Sequence, residues 1–423
     1  MAFPSANRLT MSRYLGILLA VALPAAGQPI YDILLQGGHV IDPKHRIDAV
    51  KDVAVSAGKI AKVAESIPPG QARKVVVLRG LYVIPGMIDL HAHLYNRPGN
   101  PPPKRNQSVQ PDEVSFRTGV TTLVDPGTSG WRDFPDFREI TIARSQTRVL
   151  AWLNIVAEGM GQGHEDDPEQ MDVEGAVKMA KANPDLIIGF KTAHYAGPGW
   201  AAVDGAVRAG SLAGLPVMVD FGRTTAERNL KALLLAKLRP GDVYTHCFSG
   251  LRGEILPGKG VNPVMIQARK RGILFDVGHG GGSFFWPMTI AAIDQKFYPD
   301  SISTDLHFGS MNGGARDLPN VMSKFLNLNV PIADLVRMTT WTPAKTIHRP
   351  QLGNLDVGAE ADIAVLKIEN GEFGFLDSAG ARYMGRQKIV AEMTLRKGKI
   401  MWDRNARAAE DWKTFKYRKN RQE

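Results

Sequence analysis

The sequence predicts an α/β fold, a (β/α)8 TIM barrel inserted in a small β-sandwich formed by the N- and C-terminal segments. Three observations predict it. Eight apolar runs of strand length alternate with helical segments between Tyr82 and Asp305. Short β-rich runs with glycine turns stand on both sides of that stretch. The eight runs are near-continuous rather than alternating, as strands buried on both faces require.

The elements follow in chain order. Residues 1–28 read as a secretory signal peptide. Arg8 and Arg13 precede the apolar run Tyr14 to Leu23, and Pro24-Ala25-Ala26-Gly27 supplies the small residues of a cleavage site. The run is too short to span a bilayer as a helix. The expectation is an exported protein, periplasmic or secreted, with no stable membrane anchor. An apolar first strand, or a true start at Met11, is the plain alternative. Residues 29–82 carry the first part of the β-sandwich, in Tyr31 to Leu35, Val40 to Asp42, Val53 to Val55, Gly58 to Ile60 and Lys74 to Leu78. Residues 83–350 carry the barrel. Its expected strands are Tyr82 to Ile84, Thr121 to Val124, Arg148 to Asn154, Leu186 to Lys191, Pro216 to Asp220, Asp242 to His246, Leu274 to Val277 and Ser301 to Asp305. A proline-rich loop, Pro98 to Pro103, follows the first. Residues 351–423 return to β-structure in Ala361 to Val365, Val390 to Leu395 and Ile400 to Trp402. They end in a basic tail (Lys413, Lys416, Arg418, Lys419 and Arg421) that reads as a solvated helix or frayed end.

Composition bounds the function. The chain has 423 residues, 44% apolar and 22% charged, which suits a globular protein and excludes a disordered one. A formal net charge of +10 raises the question of nucleic acid. The lysines and arginines are scattered, and no nucleic-acid-binding signature is present, so no nucleic-acid partner is expected. The single cysteine, Cys247, excludes an intrachain disulfide. A homo-oligomer is compatible with the sequence.

The sharpest chemical signal is Pro85-Gly86-Met87-Ile88-Asp89-Leu90-His91-Ala92-His93. Residues two apart in an extended run point the same way, so His91 and His93 aim two imidazoles at one metal ion. Other titratable residues end apolar runs: Lys191, Asp220, His246 and Asp305. Taken alone each has a plain reading: a lysine reaching solvent, a helix-capping aspartate, a core histidine, a second capping aspartate. His279 lies in the glycine-rich Gly278-His279-Gly280-Gly281-Gly282, where it either bonds a substrate or anchors the loop. His307, two residues after Asp305, faces the same side. His164 is a weaker rim candidate, and Tyr195, Trp200 and Trp286 suit a pocket wall less well than a core. Cys247, adjacent to His246 in an extended run, points away from any metal.

These motifs together resemble the amidohydrolase superfamily, and within it the dihydroorotase-like amidohydrolase/deacetylase group. The resemblance rests on the His91/His93 segment, Gly119-Val120-Thr121-Thr122-Leu123-Val124-Asp125, Gly189-Phe190-Lys191, Phe275-Asp276-Val277-Gly278-His279-Gly280, Ser303-Thr304-Asp305-Leu306-His307, and Leu355 with Gly358, Ala361 and Asp362. It covers essentially everything after residue 30. It implies a metal-dependent hydrolase of a carbon–nitrogen bond in a small molecule: an amide, a cyclic amide or an N-acyl group. It implies two divalent metal ions, zinc first and manganese as an alternative. His91, His93 and Asp305 would hold one, Asp220 and His246 the other. A carboxylated Lys191 and a hydroxide would bridge them, with Asp305 as general base. From their own positions His279 and His307 are the expected substrate contacts, with His307 otherwise supporting a metal ligand from behind.

The sequence departs from that family at Asp220, where a histidine is usual. The change cancels one net positive charge of the ligand set, so a milder Lewis acid is expected, with tolerance of a harder metal. Two other functions stand beside the amide hydrolase. One is an ester hydrolase using the same site. The other, of a different class, is a non-catalytic relative keeping the barrel as a scaffold; such relatives usually lose ligands.

Overall fold

The structure, a computed structural model, describes residues 1, 29–97, 108–161 and 163–417. The signal-peptide segment, the loop at Pro98 to Pro103 and the end of the basic tail lie outside the described residues.

The middle of the chain is a TIM-barrel-like α/β fold. Seven parallel strands pair in chain order: Met87–Asp89, Val120–Gly130, Arg148–Asn154, Ile187–Thr192, Val217–Val219, Val243–Tyr244 and Leu274–Phe275. The eighth run is too short in its pairing to count as a strand, yet it joins both edges. Asp276 bridges Ser301 and Ala92 bridges Leu306, both in parallel sense. The amide of Val277 donates to Ser301 O at 3.1 Å, and the amide of Leu306 to His91 O at 3.2 Å. The sheet is thereby closed.

Alternation along the strands sorts the core. Ile88, Leu90, Val124, Leu150, Trp152, Ile188, Met218 and Val243 fill the barrel interior. Ala344 and Ile347, in and after the helix Trp341–Thr346, close its floor. Phe190, Val217, Val219 and Tyr244 point outward into the larger cluster under the helices. Cys247 belongs to that outer cluster, as the alternation requires, and burial pushes its thiol well above the usual range.

Gly189 is part of the interior fit. A Cβ there would lie 2.4 Å from the Trp152 ring and 2.5 Å from Pro216 O. Gly189→Val is therefore expected to destabilise by about 1–3 kcal/mol, the usual range for overpacking, read as a lowered melting temperature. An unchanged one would refute this account of the interior.

The terminal segments meet in one eight-stranded mixed sheet. It contains Tyr31–Asp42, Ile47–Ser56, Lys59–Ala64, Ala72–Val77, Tyr82–Pro85, Ile363–Leu376, Arg382–Arg396 and Lys399–Asp403. Hydrogen bonds join all eight strands in one sheet. The expectation that Tyr82 to Ile84 opens the barrel is corrected. Tyr82–Pro85 pairs antiparallel with Ile363–Leu376 and parallel with Tyr31–Asp42, and the first barrel strand is Met87–Asp89. The break is Gly86, whose amide donates to Asp362 O at 2.8 Å as the chain crosses between sheets.

The hairpin of Ile363–Leu376 and Arg382–Arg396 runs well beyond its expected length. At its tip, Ser378 Oγ accepts from the amides of Ser283 and Phe284 at 3.2 and 3.1 Å. The tip thus holds the loop after the seventh barrel strand. No described helix is long and apolar enough to cross a membrane.

Candidate metal centre

The C-terminal ends of the barrel strands surround a pocket of about 360 Å³. Its lining includes His91, His93, Lys191, Asp220, His246, Asp305 and His307, seven of the eight residues given metal, catalytic or substrate roles from the sequence. The strand pairing brings them together although 214 positions separate His91 from Asp305. His246 and Asp305 have left-handed backbones, φ 60° and 47°. Such conformations are costly for non-glycine residues and persist where the surroundings hold them.

Each imidazole is tied at Nδ1, which leaves Nε2 facing inward. His91 Nδ1 lies 3.2 Å from Thr245 Oγ1, and that hydroxyl donates to Asp276 at 2.8 Å. His93 Nδ1 is 2.8 Å from Thr128 Oγ1, and His246 Nδ1 is 2.6 Å from Gly278 O. The free Nε2 atoms meet carboxylates. Asp305 Oδ1 is 3.4 Å from His91 Nε2 and 3.1 Å from His93 Nε2; Asp220 Oδ2 is 3.5 Å from His246 Nε2. Ligand atoms of His91, His246 and Asp305 all lie within 4.8 Å of one another.

The electrostatics suit a cation. Burial, then the Lys191 charge, lowers His91 to about 4, so its ring is neutral near pH 7 with a free lone pair. For Asp305, burial raises the pKa but is outweighed by His91 and His93, and the group stays ionised. Burial also lowers Lys191, against the pull of Asp220 and Asp305. A neutral His91 imidazole, ionised Asp220 and Asp305 carboxylates and a buried amine, with His93 and His246 beside them, form a donor set that fits divalent metal ions.

His279 is corrected. It is fully buried and absent from the pocket wall. Its ring stacks on Phe284 at 4.4 Å, Nδ1 donates to Gly280 O at 2.9 Å, and Nε2 meets the buried Lys324 ammonium. Lys324 also donates to Gly314 O and Leu376 O at 2.8 and 2.6 Å. His279 anchors its loop. The glycine after it serves the site: a Cβ at Gly280 would fall 2.1 Å from Asp305 Oδ2. Tyr195, Trp200 and Trp286 also stay out of the pocket wall, as does His164. His307 sits at the mouth and caps the short helix Phe308–Met311, its Nδ1 accepting from Gly309.

The Lys324 clamp has a measurable signature. Burial lowers this lysine from 10.5 to about 7. Between those values the unfolded chain holds the proton and the folded chain does not. Stability therefore rises with pH from about 7 towards 10.5, and below about 7 the full cost of the buried charge applies. Lys324→Met is expected to flatten that slope in urea midpoints measured across the window; parallel slopes would contradict the assignment.

Two charged neighbours of Asp220 carry no signal in the sequence. Arg252 donates Nη2–H to Asp220 Oδ1 at 3.1 Å, and His194 Nε2 lies 3.3 Å from Asp220 Oδ2. Arg252 returns the positive charge that Asp220 removes. The milder Lewis acid expected from the sequence counts ligands only, and Arg252 adds a positive charge beside the same carboxylate.

Comparison with known proteins agrees with this geometry. A family model described as the amidohydrolase family matches residues 288–401. A deacetylase of Brucella anthropi is 32% identical over 79% of this chain and 83% of its own length. Among solved structures, an adenine deaminase superposes with a TM-score of 0.79 at 27% identity, covering 88% of this chain and all of that one. A dihydroorotase gives 0.75 at 29% identity, covering 87% and 98%.

Proposed function

The chain belongs to the amidohydrolase superfamily as a dihydroorotase-like hydrolase of carbon–nitrogen bonds, and from that premise we propose that it removes the acyl group from a small N-acyl compound or opens a cyclic amide. The observation that carries the reading is the convergence of two histidines, a lysine, two carboxylates and a third histidine from separate strand ends on one pocket. The deacetylase relative favours an N-acyl substrate.

His91, His93 and Asp305 would hold one metal ion, and Asp220 and His246 a second, with zinc the first candidate. Lys191 would bridge them as a carbamate. Its amine adds to CO2, forming an N–C bond and releasing a proton, and only the neutral amine can do so. The lowering of Lys191 by burial runs in that direction. When bound, the ions would supply Lewis acidity to the scissile carbonyl and to the attacking water.

The rest of the work falls to side chains. Thr128, Thr245 and Gly278 O fix the imidazole planes. Asp305 takes a proton from the water and delivers it to nitrogen as the C–N bond breaks, so the amine leaves neutral rather than as an anion. His307 lines the pocket, where it would face the substrate.

The test is a panel of N-acyl amino acids, hydantoin-type rings and simple esters. Highest kcat/KM on an amide supports the proposal. Turnover confined to esters makes the protein an ester hydrolase and overturns it.

A further inference from the structure

We infer that His194 supplies the imidazole that the strand end at Asp220 lacks, and that it joins Asp220, His246 and the bridging Lys191 as a protein ligand of the second metal ion. The inference rests on the binuclear reading above and assigns to that site a residue presented by a different strand.

Ligand spacing is the first argument. Two ligand atoms on one tetrahedral ion, with bonds of about 2.0–2.2 Å, lie roughly 3.3–3.6 Å apart. Asp220 Oδ2 is 3.3 Å from His194 Nε2 and 3.5 Å from His246 Nε2. The other half of the site has the same character, with Asp305 Oδ1 at 3.1 and 3.4 Å from its two histidines. Asp220 thus forms the same shared corner between two imidazoles as Asp305 does. The His194 side chain is 61% exposed, so packing does not oppose a small rotation onto an ion.

The second argument is how the loop is built. His194 follows the strand Ile187–Thr192 and takes a left-handed backbone, φ 57°. It is held there by the loop after Asp220. A Cβ on Gly222 would fall 2.3 Å from Tyr195 O and 2.6 Å from the His194 carbonyl carbon, so only glycine permits this approach. The amide of Arg223 donates to Tyr195 O at 3.2 Å. The buried guanidinium of Arg228 donates to the same oxygen at 2.8 Å. The segment bearing Asp220 therefore sets the position of His194 directly above it.

The third argument is the surroundings of both groups. Glu165 Oε1 stands 3.7 Å behind His194 Nδ1, a carboxylate behind an imidazole as metal-binding histidines commonly have. Arg252 occupies Asp220 Oδ1 and leaves Oδ2 to the two histidines. With His194 and Arg252 included, the second half of the site has two imidazoles and a charge-balanced carboxylate. That restores the two imidazoles and the net charge of the site the family would build with a histidine at position 220, and adds one carboxylate oxygen.

The experiment uses the full chain, stripped with chelator and reloaded with Co²⁺ or Zn²⁺. Metal per chain is measured by elemental analysis, and the Co²⁺ visible spectrum reports coordination. Wild type is expected to hold two equivalents. His194→Ala is expected to hold about one, or to bind the second at least about 100-fold more weakly, with an altered Co²⁺ spectrum. The double variant His194→Ala/Asp220→His is expected to recover the second equivalent, because it puts the imidazole back at the strand end. His194→Gln, which keeps a polar side chain of similar size, is expected to behave as the alanine variant does. Two equivalents with unchanged affinity in His194→Ala, even with a raised KM, would make His194 a substrate contact and overturn the inference. A double variant that stays at one equivalent overturns it too. Fewer than two equivalents in the wild type would overturn the binuclear reading itself, which distinguishes the two failures.

Discussion

Lys191→Arg is expected to lower kcat/KM by about 10³-fold or more while leaving the melting temperature of the apo-protein close to wild type. The magnitude corresponds to several kcal/mol of transition-state stabilisation from a correctly held metal pair. Arginine keeps the charge of lysine but has no nucleophilic amine, so it forms no carbamate. Lys191 is almost wholly buried among Asp220, Asp305, Asp276 and Asp125. If the lysine served only as a cation among carboxylates, arginine would replace it well. Lys191→Ala separates the cases further: the vacated space admits a small carboxylate, and partial recovery with added acetate is expected. Arginine activity near wild type would contradict the carbamate.

The second large effect is at Asp305. Asp305→Asn is expected to lower kcat by about 10²–10⁴-fold, the usual worth of a positioned proton-transfer group. Asparagine is nearly isosteric and can still approach His91 and His93, but it cannot take up and return a proton. The loss should be greatest for substrates with poor leaving groups. Amides with strongly basic amines would suffer most, and activated esters, whose leaving group needs no proton, least. An equal loss across that series would make Asp305 a ligand alone.

The candidate site residues at the strand ends were legible because each needed only residue type and a place at a strand end. His91, His93, Lys191, Asp220, His246 and Asp305 lie on, or within a few residues of, the last paired residue of their strands. Strand order then brings them together without further information. Loop residues carry no such rule. His194 lies three positions after Lys191, in plain view, but its approach to Asp220 is set by Gly222 and Arg228, a contact between loops. Arg252 is equally silent in sequence. His279 has two readings in the sequence, a substrate contact or a loop anchor, and the partner that decides between them, Lys324, lies 45 residues on, in the helix Leu318–Leu326. The strand at Tyr82 was assigned to the wrong sheet because an apolar run looks the same in either. The outer half of the long hairpin was missed because Glu369, Asn370, Gly371 and Glu372 are polar and largely exposed, and strand pairing there leaves no apolar pattern.

One measurement bears most directly on the central claim, that this is a metal-dependent amide hydrolase. It is kcat/KM on the best amide of the panel before chelation, after exhaustive chelation, and after reloading with Zn²⁺. Activity that vanishes on chelation and returns as the second equivalent of metal is restored is the predicted result. Amide turnover that persists in protein shown by elemental analysis to be free of metal would contradict it.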